Sequence, residues 1–221
     1  FTKECEVHST KEKADKAFLV LKRMLELGAD IVVHSGTKYI GGHNDTIAGL
    51  VITNDNQTLI DHFRLQLKSH GNGLASLDSW LLIRGLKTLA LRMEKHNENA
   101  KIVAEWLKKH PKVTKVYYAG FEDHPGYDVM KSQSTGFGGM ISFAVDSVET
   151  VKRLLEGVDM ILFAESLGGT ETLITYPMTQ THESIPAERR EAIGITDKFI
   201  RISVGIEHVD DIIKDLERAL S

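Results

Sequence analysis

The stretch that does most to limit the architecture is Ile31 to Asp45. A short apolar run, Ile31-Val32-Val33, passes into Ser35-Gly36-Thr37-Lys38-Tyr39 and then Gly41-Gly42-His43-Asn44-Asp45. A second β-rich run follows from Ile47 to Thr53, so the pattern predicts two buried strands with a glycine-rich lysine turn between them. Helical patterning takes over at Leu59 to Lys68 and Ser76 to Lys87, and most strongly from Leu86 to Lys109. In that last segment Leu86, Leu89, Ala90, Met93, Asn97, Ala100, Val103, Ala104 and Leu107 share one face, and Pro111 lies just past the end. A helix of this length can join two domains. Beyond it, Val113 to Tyr118, Gly139 to Val145 and Phe199 to Val204 read as strands, and Val148 to Leu155 as a helix. His208 to Leu220 reads as a terminal helix with Val209, Ile212, Ile213, Leu216 and Leu220 inward. The chain is therefore expected to be α/β, with an α+β C-terminal domain.

The residue types in the turn suit one kind of chemistry. Lysine forms a Schiff base with a carbonyl, and it becomes a usable nucleophile when desolvation or a neighbouring cation lowers its pKa. Ser35 and Thr37 are two residues apart, so on an extended segment both hydroxyls face one side and can donate to phosphate oxygens. An amine beside two hydroxyls on a glycine-rich turn suits an aldehyde cofactor bearing a phosphate, which suggests pyridoxal 5'-phosphate. Tyr39 can support the lysine with its ring or serve as a plain core residue. Taken alone, the residues leave a second reading open, a solvated turn that carries Ser-x-Thr-Lys by chance.

Gly28 to Asp45 resembles the cofactor-lysine signature of the Cys/Met metabolism family of pyridoxal phosphate enzymes, the trans-sulfuration enzymes. A second block is similar to the substrate-carboxylate region of the same family: Ala164 to Leu173, then Thr181-His182, Ile185-Pro186, Glu188-Arg189-Arg190, Gly194-Ile195 and Ile200 to Glu207, in the same order. The resemblance runs from about Leu25 to the C-terminus. It implies the C-terminal part of the fold-type I, aspartate aminotransferase-like architecture, with the end of the large cofactor domain followed by an α+β domain. It also implies that Lys38 is the Schiff-base lysine, that Ser35 and Thr37 bind the cofactor phosphate, and that Arg201 grips the substrate α-carboxylate beside Ser166 and Thr181. An arginine fork matches a carboxylate bidentately and keeps its proton, which suits that role. Outside this context, an arginine in a strand reads as half of a surface ion pair, and Ser166 as a cap or turn hydroxyl.

The activity so implied is β/γ-elimination or γ-replacement at C–S or C–O bonds, of the cystathionine γ-synthase or γ/β-lyase type, in cysteine metabolism and methionine biosynthesis. The substrate would be a sulfur amino acid or an O-acylhomoserine, and the protein a homo-oligomer, a homotetramer, with pockets built across a subunit interface. Glu165, together with Thr175-Tyr176-Pro177 before Thr179 to His182, leans toward the γ-synthase and γ-lyase group rather than methionine lyase.

Upstream of the lysine the family carries an aspartate for the pyridine nitrogen and an aromatic ring that stacks on the cofactor. At the family's spacing the aspartate falls near position 13, where this chain has Lys13, and Asp15 is two positions off. Residues 1–24 read instead as a charged stretch and then a helix, with Ala14, Ala17, Phe18, Leu21 and Leu25 at spacings of three and four. The expected division is an anomalous segment at 1–24, the end of the cofactor domain at 25–86 and a substrate-carboxylate domain at 87–221, together the C-terminal portion of a family member. A truncated, non-catalytic remnant or interaction module is the alternative.

Composition agrees with a soluble cytoplasmic origin. The chain has 221 residues, 42% hydrophobic and 26% charged, enough for a sizeable core. A net charge of −4 gives no electrostatic case for nucleic acid or an anionic membrane. No apolar run approaches the roughly 20 residues of a membrane span, and the N-terminus does not read as a signal peptide. The single Cys5 cannot form an internal disulfide and fits a reducing compartment. His34, His43, His62 and His70 lack the spacing of a metal site.

Overall fold

The computed structural model describes residues 24–221. Cys5, Lys13, Asp15 and the expected helical stripe from Ala14 to Leu21 lie outside the described residues. The chain divides into two compact units, one ending at Ala90 and the other running from Leu91 to Ser221.

The first unit is organised around the lysine turn. Strands β1 (Ile31–Ser35) and β2 (Gly49–Thr53) pair antiparallel, Ile31 opposite Thr53 and Ser35 opposite Gly49. The second strand starts later than the Ile47 expected from composition. Ala48 belongs to the turn instead, its carbonyl accepting the N–H of Gly36 at 2.8 Å and of Thr37 at 3.3 Å. Helix α1 (Gln57–His70) is opened by Asn56, whose side chain accepts from the N–H of Leu59, and closed by Gly71 in the left-handed conformation. Helix α2 (Ser76–Leu86) presses Leu82 onto Ile40 and Ala48 to form the unit's buried cluster. Gly85 permits that approach, because a Cβ there would collide with the carbonyl of Gly41.

The boundary between the units falls in the first turn of helix α3 (Leu89–Lys109). The second unit continues with β3 (Val113–Tyr117), α4 (Tyr127–Gln133), β4 (Met140–Val145), α5 (Val148–Gly157), β5 (Leu162–Phe163), β6 (Leu173–Thr175), α6 (Ala187–Ala192), β7 (Phe199–Ser203) and α7 (Val209–Leu220). The strands form one sheet in the order β3-β4-β7-β6-β5, antiparallel except for the β5–β6 pair. Residues two apart on each strand line one face, so Ile141 and Phe143 of β4, Ile174 of β6, and Ile200 and Ile202 of β7 enter a single core. Ala100, Val103, Ala104 and Leu107 of α3, Val151 and Leu154 of α5, and Ile212, Leu216 and Leu220 of α7 complete it. The opposite face of β7 is left to Phe199, Arg201 and Ser203.

Two features depart from the periodicity. The buried stripe of α3 begins as Leu89, Arg92, His96 and Asn99, not Ala90, Met93 and Asn97. Polar residues occupy it because they bind the chain beyond β7: His96 Nδ1 donates to the carbonyl of Val204 at 2.7 Å, and Asn99 Nδ2 donates to those of Gly205 at 3.1 Å and Glu207 at 2.8 Å. Burial, the largest influence, lowers the His96 pKa, the Val204 bond opposes it, and Arg92 adds to the lowering. The second departure is the set α4, β5, β6 and α6, none of which the sequence pattern indicated. β6 spans only Leu173–Thr175 and is buried throughout, so it shows no alternation to read.

Candidate active site

Lys38 sits where the chain leaves β1 and winds tightly over Gly36–Ile40 before turning back to β2. The N–H of Gly41 donates to the carbonyl of Gly36 at 2.9 Å, and that of Gly42 to the carbonyl of Lys38 at 2.8 Å. The winding breaks at Lys38 itself (φ −92°, ψ −131°). Gly36 lets the turn lie against α2, since a Cβ there would come within 3.0 Å of the Ala48 Cβ and 3.2 Å of Leu82.

The two hydroxyls are held differently from each other. The extended segment expected to carry both ends at Ser35, so Thr37 belongs to the wound turn and the period of two does not relate them. Ser35 is exposed at the strand end. Thr37 Oγ1 accepts from the N–H of Ala48 at 2.9 Å, and its own proton reaches the Ala48 carbonyl only at 3.4 Å. That proton is therefore weakly held and can be redirected to an anionic oxygen. A primary amine with two donor hydroxyls is the donor set that an aldehyde bearing a phosphate requires, so these residues fit pyridoxal phosphate.

Arg201 lies at the middle of β7, flanked by Ser142 of β4 and Thr175 of β6 in register. Its guanidinium Nη2 donates to Thr175 Oγ1 at a long 3.4 Å, and Thr175 Oγ1 donates in turn to the carbonyl of Ala164 at 3.1 Å. Its Nε is buried with no hydrogen-bond partner among the described residues. Burial pulls the pKa of Arg201 down, and the nearby Glu165 carboxylate pushes it back up. A buried Nε–H left over on a half-buried arginine calls for a further acceptor, and a planar carboxylate matches the guanidinium fork.

Ser166 follows Glu165 in the loop between β5 and β6. Thr181 Oγ1 is paired with Nδ1 of its neighbour His182 at 2.7 Å. Arg201 bonds through Nη2 to Thr175, while Thr181 is engaged with His182. The sequence motif that includes Thr175 gives no sign of the contact with Arg201, because only strand register sets it beside Arg201. The end of β7 is fixed by further polar contacts: the N–H of Gly168 donates to Ser203 Oγ at 2.9 Å, and that of Gly205 to Thr172 Oγ1 at 2.9 Å. Thr172 Oγ1 in turn donates to Glu207 at 2.8 Å.

Sequence and fold agree on the class. Residues 13–221 match the family model for Cys/Met metabolism PLP-dependent enzymes. The chain belongs to this family, whose members depend on pyridoxal phosphate and have the fold-type I architecture. It is 49% identical over 210 residues to the cystathionine beta-lyase of Coxiella burnetii, covering 94% of this chain and 54% of that protein. It is 52% identical over 203 residues to the L-methionine gamma-lyase of Fusobacterium nucleatum subsp. polymorphum, covering 90% of this chain and 51% of that protein. A crystal structure of cystathionine gamma synthase from Xanthomonas oryzae pv. oryzae, in complex with aminoacrylate and cysteine, superposes with a TM-score of 0.84 at 40% identity. That match covers 89% of this chain and 51% of the solved one. The chain thus spans about half the length of the curated relatives it matches. The family match also begins upstream of Leu25, where the motif blocks begin.

Proposed function

We propose that this chain provides the lysine turn and the carboxylate-binding strand of a pyridoxal 5'-phosphate-dependent enzyme of sulfur amino-acid metabolism. The reaction is β/γ-elimination or γ-replacement at a C–S or C–O bond, of the cystathionine γ-synthase or γ/β-lyase type. Substrates are sulfur amino acids or O-acylhomoserines, in cysteine metabolism and methionine biosynthesis. The observation that carries this reading is Arg201, a half-buried side chain whose buried Nε has no acceptor among the described residues. Arg201 would fix the substrate α-carboxylate, with Ser166 and Thr181 as further polar groups of the substrate region. Lys38 would hold the cofactor through its Nζ, and Ser35 and Thr37 would donate to its phosphate. When bound, the cofactor supplies the electron sink for charge developing at Cα. The Lys38 amine would take the α-proton and deliver it elsewhere, and Arg201 would hold the carboxylate, an effect of position rather than of added charge.

Residues 25–86 would be the end of the cofactor domain and residues 87–221 the substrate-carboxylate domain, in a cytoplasmic homo-oligomer of homotetramer type. The names of the relatives support the reaction class, and the range they cover, from cystathionine to methionine, keeps the leaving group open. A remnant or interaction module is the second reading, favoured by the small buried cluster of the first unit.

Assaying the cofactor-loaded protein with cystathionine, methionine and an O-acylhomoserine separates these readings. β-Elimination of cystathionine releases pyruvate and γ-elimination releases 2-oxobutyrate, so the keto acid identifies the bond broken. Turnover of one of these substrates is expected. A fully loaded protein that turns over none of them would leave the remnant reading.

A further inference from the structure

The loop between β5 and β6, residues 164–172, carries Ser166 and also Glu165, whose charge acts on Arg201. It is neither helix nor strand, so its backbone groups need partners elsewhere. At its start the carbonyl of Ala164 accepts the Thr175 hydroxyl at 3.1 Å, the same hydroxyl that receives Arg201 Nη2. Two residues past Ser166, the N–H of Gly168 donates to Ser203 Oγ at 2.9 Å. Ser203 shares a face of β7 with Arg201. Ser166 is thus suspended between two anchors that both lead to the arginine.

The far end of the loop is closed by one side chain. Glu207 follows β7, and Asn99 Nδ2 of α3 fixes its backbone by donating to the carbonyls of Gly205 and Glu207. Its Oε1 accepts the N–H of Thr172, and its Oε2 accepts the Thr172 hydroxyl at 2.8 Å. That hydroxyl accepts the N–H of Gly205 at 2.9 Å, and the N–H of Ile206 donates to the carbonyl of Thr170 at 2.9 Å. Thr172 is fully buried, so its polar atoms depend on these contacts. Gly205 makes room for them, because a Cβ there would collide with the Thr170 carbonyl and the Glu207 carboxylate. No side chain of residues 164–172 belongs to the apolar core of the second unit. Polar anchors therefore set the place of the loop, and the two donated to an ionised carboxylate are of the stronger kind.

We infer that Glu207, acting through Thr172, is a positioning residue for the substrate-carboxylate site. It holds the loop in the placement that presents Ser166 to the carboxylate that Arg201 would bind. The inference rests on the proposed roles of Arg201 and Ser166. A displaced loop weakens the hold on substrate and transition state alike, so its signature is a raised KM at little-changed kcat. Plain loss of fold would instead reduce the active fraction, and with it kcat.

The test compares Thr172→Val, which keeps the shape and removes the hydroxyl, with Glu207→Ala and with Thr172→Ser in the cofactor-loaded protein. Amide exchange over residues 165–172 should quicken about tenfold or more in the first two variants while β4 and β7 stay protected. KM for cystathionine should rise on the order of tenfold in both, with kcat within about threefold. Thr172→Ser, which keeps the hydroxyl, should behave as the unaltered protein in both measurements. Unchanged exchange in the loop overturns the inference, as does a freed loop with unchanged KM. Loss of protection that spreads to β4 and β7 also overturns it, since Glu207 would then support the sheet. Arg201→Ala, measured in parallel, separates this inference from the reading beneath it. If Arg201→Ala loses activity and Glu207→Ala keeps its KM, the positioning role alone fails. If Arg201→Ala is unaffected, the carboxylate site and the positioning role fail together.

Discussion

Arg201→Ala is expected to lower kcat/KM for an amino-acid substrate by about 10²–10³-fold in the cofactor-loaded protein, which corresponds to about 3–4 kcal/mol. The estimate comes from losing two charge-assisted hydrogen bonds to one carboxylate. Its size is supported by the site of the guanidinium, on a central strand and half-buried, where burial lowers its pKa and Glu165 offsets only part of that. Arg201→Lys should recover only part of the loss, since an ammonium supplies charge without the planar fork. Thr175→Val, which removes the long 3.4 Å contact, should cost far less than either. The measurement is steady-state kinetics with cystathionine. An Arg201→Ala enzyme within threefold of the unaltered one would remove Arg201 from the carboxylate site.

Asp215→Ala is expected to destabilise the second unit by about 3–5 kcal/mol, a drop in Tm on the order of 10 °C. The Asp215 carboxylate, on α7, accepts the N–H of Asp159 at 3.0 Å, Met160 at 3.0 Å and Ile161 at 2.9 Å, and pairs with Arg218. It thereby ties the terminal helix to the entry of β5, and its side chain is 6% exposed. Removing it strands several N–H groups together. Burial by itself would raise the Asp215 pKa. The Ile161 N–H, Arg218 and the Asp159 N–H together outweigh it, and the folded-state value lies below the ordinary one. The carboxylate's contribution is therefore fully present above the unfolded pKa and is lost as pH falls from there through the folded value. Thermal melts of the unaltered chain should lose stability as pH drops beneath the ordinary aspartate range, and the Asp215→Ala chain should lose less over the same interval. Equal slopes would show that another group governs acid stability.

Much of the architecture is legible where one physical signal dominates. Ile31-Val32-Val33 and Gly139 to Val145 are read as strands, and the stripe Ile212, Leu216, Leu220 of the terminal helix faces inward at full burial. What escapes is whatever depends on a partner distant in sequence. His96 and Asn99 look like polar residues on a solvated helix face until the carbonyls of Val204, Gly205 and Glu207 arrive beside them. Asp215 reads as one more acidic position on an amphipathic helix, and Thr175 as part of a family motif with no stated contact. Helix α6, six residues without an apolar stripe, has no periodic signal at all. The lysine turn shows both sides of this. Its glycines and its lysine stand out in sequence, but the engagement of Thr37 with Ala48 depends on the return strand.

The family assignment makes Lys38 the centre of the account, and one measurement addresses it directly. The purified protein is incubated with pyridoxal phosphate and reduced with borohydride, and the labelled peptide is mapped by mass. A single adduct on Lys38, near one per chain and absent from Lys38→Arg, is the expected result. Labelling scattered over surface lysines, or concentrated on a different lysine, would contradict the account.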